Sequence, residues 1–284
     1  MSAAAVGVSV KVHRRVEHLM GMPVSVALRG RQATTTAGEE AWHAVVEELR
    51  GVDRVFSTYR PDSSINRLDR GDITLEECPP EVAEVLVLGG DAEQESDGAF
   101  SVVLPDGSGR SRLDPSGVVK GWAVDRAARC LAALDDTDFC LSAGGDMLCQ
   151  VADPARPAWR VGIEHPHDPT SVIAVVPVRS GAVATSGTRH RGQHLLDART
   201  GRPAQGVASV TVIDRSLTWA DIDATAAYAQ GPEAANWLRT RGRTGLVVWP
   251  DATTTVLDGW ASSRTLDTAS NSSPHRSPTK GFLP

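Results

Sequence analysis

Four stretches carry residue types that could do chemistry. Asp114-Pro-Ser-Gly-Val-Val-Lys-Gly121 leads a glycine-containing turn into an apolar run. Free backbone N–H groups and the positive end of a helix dipole would then lie beside Lys120, which suits a phosphate. The glycine spacing and Lys-Ser/Thr pair of a P-loop are absent, and spacing alone favours a plain helix start with a solvated lysine. Leu141-Ser-Ala-Gly-Gly-Asp146 places two glycines after an apolar strand. They allow close approach of a ligand, although an ordinary turn is the simpler account. His194-Leu-Leu-Asp-Ala-Arg-Thr-Gly-Arg-Pro203 sets His194 and Asp197 three apart, downstream of Arg189, His190 and Arg191. This most basic part of the chain suits an anionic ligand or a solvated loop equally well. In Trp219-Ala-Asp-Ile-Asp-Ala-Thr225, helical spacing puts the oxygens of Asp221 and Thr225 on one face, as hard donors for Mg²⁺. Taken alone, helix capping by Asp221 or Asp223 explains these acids.

The elements that must position these groups are legible as hydrophobic periods. Val8 to Val12 and Val24 to Leu28 read as strands flanking a turn at Met20-Gly21-Met22-Pro23. From Ala37, the residues Trp42, Val45, Val46, Leu49, Val52 and Phe56 recur at helical spacing. A second helix follows Pro80, with Gly89-Gly90 weakening its continuation, and a third spans Val118 to Leu134. Phe139–Leu141, Met147–Val151, Trp159–Ile163, Val172–Val178 and Val207–Ile213 read as short strands. Ala220–Tyr228 and Pro232–Arg241 return to helix, and Gly245–Trp249 is a late strand. Helices and strands are partly segregated, which predicts an α+β fold with a largely antiparallel sheet core and packed helices. Residues 1–261 are expected to form a single domain. The tail, residues 262–284, is rich in Ser, Thr, Asn and Pro and reads as disordered.

The chain has 284 residues, 41% hydrophobic and 23% charged, enough for a full core. A formal net charge of −6 gives no global basic field, so nucleic acid is not an expected partner. No apolar stretch is long enough for a membrane span, and the start lacks the pattern of a secretory signal, so a cytoplasmic location is expected. Cys78, Cys130, Cys140 and Cys149 show no CxxC spacing and read as buried free thiols.

Each signal is weak singly, but their combination and order resemble the FAD:protein FMN transferase (ApbE) family from about Val16 to Trp249. The resemblance is carried by Met20-Gly21-Met22, Phe56-Ser-Thr-Tyr-Arg-Pro-Asp-Ser-Ser-Ile-Asn-Arg-Leu68, Asp97-Gly-Ala-Phe100 and Asp114 to Gly121 with Asp125. Gly144-Gly145-Asp146, Trp159-Arg-Val-Gly-Ile163, Ala184-Thr-Ser-Gly187, His194 to Pro203, and Ala220-Asp221 with Thr225 continue it. The resemblance implies an ApbE-like fold and a flavin pocket lined by Met20, Ser57, Thr58, Tyr59, Ala99, Phe100 and Ser101, with Asp114 and Lys120 at the FAD site. It implies Mg²⁺ held by the Gly117 carbonyl, Asp221 and Thr225, and places His194 and Asp197 near the reacting end. Asp223 has no ligand role in this reading.

The activity implied is Mg²⁺-dependent transfer of FMN from FAD, the substrate, onto a Ser or Thr hydroxyl of a flavin-accepting protein, releasing AMP. His194 or Asp197 would take the hydroxyl proton. A non-catalytic FAD-binding protein and an FAD pyrophosphatase are the alternatives. Three departures stand out. Ser101 replaces the family's usual Asp, which removes a carboxylate near the flavin. Ala198 replaces a usual Pro. Only twelve residues separate Ser101 from Asp114, where many members carry a longer insert, so the pocket is expected to be more open there.

Overall fold

The structure is a computed structural model that describes residues 11–105, 110–187 and 195–257. The expected strand at Val8 to Val12 falls largely outside these residues, and Lys11 and Val12 carry no strand. The first strand, β1, is instead His13–Leu19, which pairs in register with β2, Met22–Gly30. Its sequence, HRRVEHL, is mostly polar and its side chains are mostly exposed, so it lacks an apolar alternation to read. The two-residue turn between them holds Met20 at φ 52° and Gly21 at φ 71°. Positive φ at both central residues matches the twist of a tight hairpin.

Helix α1, Thr36–Phe56, starts at the cap residue Thr35, whose hydroxyl accepts from the Gly38 N–H, and buries the stripe the periodicity marks. A short α2, Ser64–Asp69, follows; its six residues bury only Ile65 and are too few for a periodic stripe to mark. Helix α3, Pro80–Glu95, runs straight through Gly89-Gly90. The glycine there is a packing requirement: a Cβ on Gly89 would lie 2.6 Å from Val102 Cγ1. Two small strands, β3 (Val103–Pro105) and β4 (Ser111–Leu113), pair with each other before α4, Ser116–Ala132. In α4, Trp122 packs edge-on to Phe56 of α1, with ring centroids 5.6 Å apart.

Strands β5 (Thr137–Ala143) and β6 (Asp146–Gln150) form a hairpin through Gly144 and Gly145, both at positive φ. Next comes a separate hairpin, β7 (Trp159–His165) with β8 (Asp168–Val178). Strand β9, Ser180–Gly187, has no counterpart among the expected strands, because its sequence SGAVATSG is poor in β-branched residues. A small pair, β10 (Leu196–Asp197) and β11 (Arg202–Pro203), precedes β12, Ser209–Asp214. Helices α5 (Leu217–Ala229) and α6 (Ala234–Thr240) and strands β13 (Thr244–Val248) and β14 (Thr254–Val256) complete the described residues. The tail from Ser262 lies outside them.

Eight strands form one antiparallel sheet in the order β1-β2-β5-β6-β9-β12-β13-β14. Alternate residues of β9 and β13 divide between two cores. Ala182, Ala184 and Val247 face the helices, while Val183, Leu246 and Val248 face the β7–β8 hairpin. The sheet is thus covered by helices on one side and by a hairpin on the other. Helix α5 is apolar almost all round, as befits a buried helix, and two of its buried residues are acids, Asp221 and Asp223.

Candidate active site

Helices α4 and α5 cross at Gly121, where an added Cβ would lie 2.6 Å from the Leu217 carbonyl oxygen. Asp125 locks the crossing. Its carboxylate accepts from the Leu217 and Thr218 N–H groups, each at 2.9 Å, and from the hydroxyls of Ser216 at 2.7 Å and Thr218 at 2.6 Å. An anion at a helix N-terminus is favoured by the free N–H groups and the dipole. The N-cap of α5 is Ser216, so neither Asp221 nor Asp223 is a cap.

The crossing brings Lys120 against Asp221, with Nζ 3.1 Å from Oδ1. Lys120 also pairs with Asp146 at the start of β6, whose Oδ1 accepts from the Thr185 N–H at 2.8 Å. Asp146 and Asp221 are 2% and 3% exposed, and the Lys120 side chain is largely covered. The solvated lysine of the simpler sequence account is therefore a half-buried, ion-paired one. Burial pulls the Lys120 ammonium down, but Asp221 and Asp146 outweigh it and hold its pKa above the usual lysine value. Burial pushes Asp221 up to about 7, aided by Asp146 and opposed by Lys120 and the Gly121 N–H.

One ammonium between two carboxylates leaves a net negative site. Among the described residues, Asp221 Oδ2 is buried with no hydrogen-bond partner. One turn on, the half-buried Thr225 hydroxyl lies 3.0 Å from Ser186 Oγ on β9. A buried, unpaired carboxylate oxygen near a hydroxyl fits a small hard cation. No group of three or more His, Cys, Asp and Glu side chains forms a metal cage among the described residues, so remaining ligands would come from backbone, water or a bound phosphate.

The other expected residues within the described stretches lie on α4 and the turn before it, between α3 and β3, in β10, after α1 and in the β1–β2 turn. Gly117 lies in the first turn of α4, and its missing Cβ makes room for the Phe100 ring, which a methyl group would meet at 2.9 Å. Ala99 and Phe100 are buried, and the Ala99 carbonyl accepts from Ala198 at 3.1 Å, which ties this segment to the Asp197 turn. The Asp197 carboxylate is held by Arg199, through Nε at 2.8 Å and Nη2 at 3.0 Å. His194 lies outside the described residues. Asp114 pairs with Arg112 at 2.6 Å and accepts from the Ser116 N–H at the start of α4. Ser57 and Thr58 are half-buried just after α1, and Tyr59 is almost fully exposed. Met20 occupies the β1–β2 turn, next to the Gly144 turn, where Met22 Sδ would lie 2.9 Å from a Cβ on Gly144. Ser101 donates to Glu93 Oε2 at 2.9 Å, so α3 supplies a carboxylate beside the position where one was expected to be lost.

Asp146, Ser186 and Glu93 were not singled out from the sequence as site residues. Asp146 carries a signal, an acid directly after a Gly-Gly turn, and Ser186 lies in the Ala184–Gly187 motif; Glu93 carries none. Asp223, on the opposite side of α5, is buried between Arg241, at 3.0 Å, and Arg243, at 2.5 Å.

The chain matches the ApbE family model over residues 20–106 and 104–248. It belongs to the ApbE family. An FAD:protein FMN transferase of Vibrio cholerae is 34% identical over 131 residues, 43% of this chain and 39% of that protein. Another from Rhodobacter capsulatus is 35% identical over 144 residues, 48% of this chain and 27% of that protein. The matched stretches thus span under half the length of these relatives. An ApbE protein of Thermotoga maritima has the same fold, with a TM-score of 0.77 at 22% identity, covering 90% of this chain and 100% of the other. The flavinyl transferase ApbE of Pseudomonas stutzeri gives 0.75 at 23% identity, covering 89% and 98%. The α+β architecture with its large antiparallel sheet is the ApbE fold. Among the described residues, no helix is long and apolar enough to cross a membrane.

Proposed function

We propose that this ApbE-family chain transfers FMN from FAD to a Ser or Thr hydroxyl of an acceptor protein and releases AMP. The observation that carries the reading is the unpaired, buried Asp221 Oδ2 beside Lys120 and one turn from Thr225, in a family whose named relatives are FAD:protein FMN transferases. Asp221, Thr225 and the Gly117 carbonyl would hold Mg²⁺, and the fit rests on that orphaned oxygen and an all-oxygen donor set. When bound, the cation supplies charge neutralisation at the pyrophosphate.

The chain's own residues do the rest. Lys120, held by Asp146 and Asp221, is a fixed positive charge for the phosphates, and its two partners keep it protonated. Met20, Ser57, Thr58, Tyr59, Ala99, Phe100, Ser101 and Asp114 line the flavin nucleotide in this reading. The acceptor oxygen attacks the FMN phosphorus, and its proton passes to His194 or Asp197. Arg199 already engages both Asp197 carboxylate oxygens, which favours His194 as the base and a holding role for Asp197.

The test is incubation with FAD, Mg²⁺ and a Ser/Thr acceptor peptide. Covalent FMN-peptide plus AMP is the expected result. Free FMN plus AMP would identify an FAD pyrophosphatase, and no turnover with retained FAD would identify a binding protein. Calorimetric titration with Mg²⁺ gives a second readout, and loss of its signal in Asp221→Asn is expected.

A further inference from the structure

Cys140 on β5 and Cys149 on β6 are direct cross-strand partners, and their sulfurs lie 3.2 Å apart. Residues opposite each other in an antiparallel pair have Cα atoms roughly 4.5–5.5 Å apart, inside the roughly 4.4–6.8 Å that a disulfide spans. Drawing the sulfurs in by about 1 Å to bonding distance therefore needs only side-chain rotation. The two sulfurs differ in access. Cys149 is buried in the core beneath the β7–β8 hairpin, and Cys140 is half-buried at its margin.

The surroundings also differ. The Cys149 thiol donates toward Cys140 Sγ, and with Arg14 and Arg29 nearby it holds Cys140 below the usual thiol pKa despite burial. The same hydrogen bond and burial push Cys149 up. Cys140 is thus the readier thiolate, with a second thiol already aimed at it.

We propose that Cys140 and Cys149 form a reversible dithiol–disulfide site that reacts with small disulfides of the glutathione class. The Cys140 thiolate attacks one sulfur of the oxidant, forming a mixed disulfide and expelling one thiolate. The Cys149 sulfur then attacks Cys140 Sγ, closes the intramolecular bond and expels the second thiolate. The two cysteine protons end on the two released thiols; the protein pair is oxidised and the small disulfide is reduced. The product ties together the arms of the hairpin whose tip bears Asp146, three residues from Cys149 along β6.

The experiment exposes folded protein to oxidised glutathione, quenches it with acid and an alkylating agent, and maps the peptides without reduction. The expected product joins the Cys140 and Cys149 peptides, with two hydrogens lost. Oxidised protein should melt higher by roughly 5–10 °C, reversibly on reduction. Cys149→Ser should accumulate a mixed disulfide at Cys140 by roughly tenfold over wild type, because no resolving thiol remains. Modification of Cys78 with Cys140 and Cys149 both left reduced would overturn the proposal. A glutathione adduct on Cys149 in Cys140→Ser would overturn the assigned order of attack. If a serine variant fails to fold, the wild-type map alone decides the matter, by presence or absence of the joined peptides.

Discussion

Replacing Asp221 by asparagine keeps the shape of a side chain that is 3% exposed and removes its charge. The attraction lost is to Lys120 at 3.1 Å, which at an effective dielectric of about 20 is worth about 5 kcal/mol. Against it stands the desolvation of a buried carboxylate, several kcal/mol, and the repulsion from Asp146 across the shared ammonium. The terms oppose each other, and Lys120 keeps one partner, so the fold should lose no more than about 1–2 kcal/mol. Asp223→Asn differs. With no ligand role it would be a silent control, but the structure buries Asp223 between Arg241 and Arg243, so neutralising it weakens two ion pairs rather than one; since Arg241 keeps Glu95 and Arg243 keeps Asp214, the cost should be about 2–3 kcal/mol. Urea unfolding followed by circular dichroism measures both. FMN transfer to an acceptor peptide, read by flavin fluorescence on a denaturing gel, gives the activity. The expected pattern is crossed: Asp221→Asn abolishes transfer and the Mg²⁺ response with little loss of stability, while Asp223→Asn lowers stability and spares the Mg²⁺ dependence of whatever remains folded. Equal destabilisation by the two variants would mean that Asp221 is a structural ion-pair residue, and the reasoning about the site would fail.

Gly121→Ala should destabilise by more than about 1–3 kcal/mol despite alanine's better helix propensity, because the methyl group meets the Leu217 backbone rather than a movable side chain; urea midpoints check this. Burial raises the Asp138 carboxyl, but Arg29, the Ala152 N–H and Arg156 outweigh it and hold its pKa below the ordinary value. Its contribution is then full above about pH 4 and lost as pH falls through the folded value, so Asp138→Asn should flatten the acid limb of a melting-temperature profile. An unchanged limb would refute that pairing. The proposed pocket engages the adenylate half too, so FAD should bind more tightly than FMN or riboflavin in a fluorescence titration; equal affinities would contradict the reading. Removing residues 262–284, whose composition cannot support a packed core, should leave melting and flavin binding unchanged.

The long helices were legible because their apolar stripes are long: the α1 stripe from Trp42 to Phe56 is buried as its spacing implies, whereas the six-residue α2 carries no stripe. Strand β9 was not, because its centre is alanine where α5 presses on the sheet, and small residues carry no strand signal. At the site, Asp221 and Thr225 could be found by spacing, since i and i+4 share a helix face. That Asp221 and Asp223 are both buried, on opposite sides and for different partners, depends on what surrounds α5, which periodicity within one helix does not contain. Lys120 illustrates the same limit. Its place near a helix start suggests exposure, and only the crossing at Gly121 and the distant Asp146 make it a half-buried counter-charge.

Strand β2 finds its sheet neighbour β5 only after about a hundred intervening residues, with Gly30 opposite Thr137. During synthesis at about 5–20 residues per second, the β1–β2 hairpin waits roughly 5–20 seconds with the inner edge of β2 unpaired. An open edge of that kind invites other chains, and the wide loop slows its own closure. Chains truncated within the α1–α4 insertion should therefore pellet on expression, and chains extending beyond β6 should do so less. The residues that separate β2 from β5 include Gly117 and Lys120, so the segment that delays the sheet is also the one that furnishes half of its proposed site.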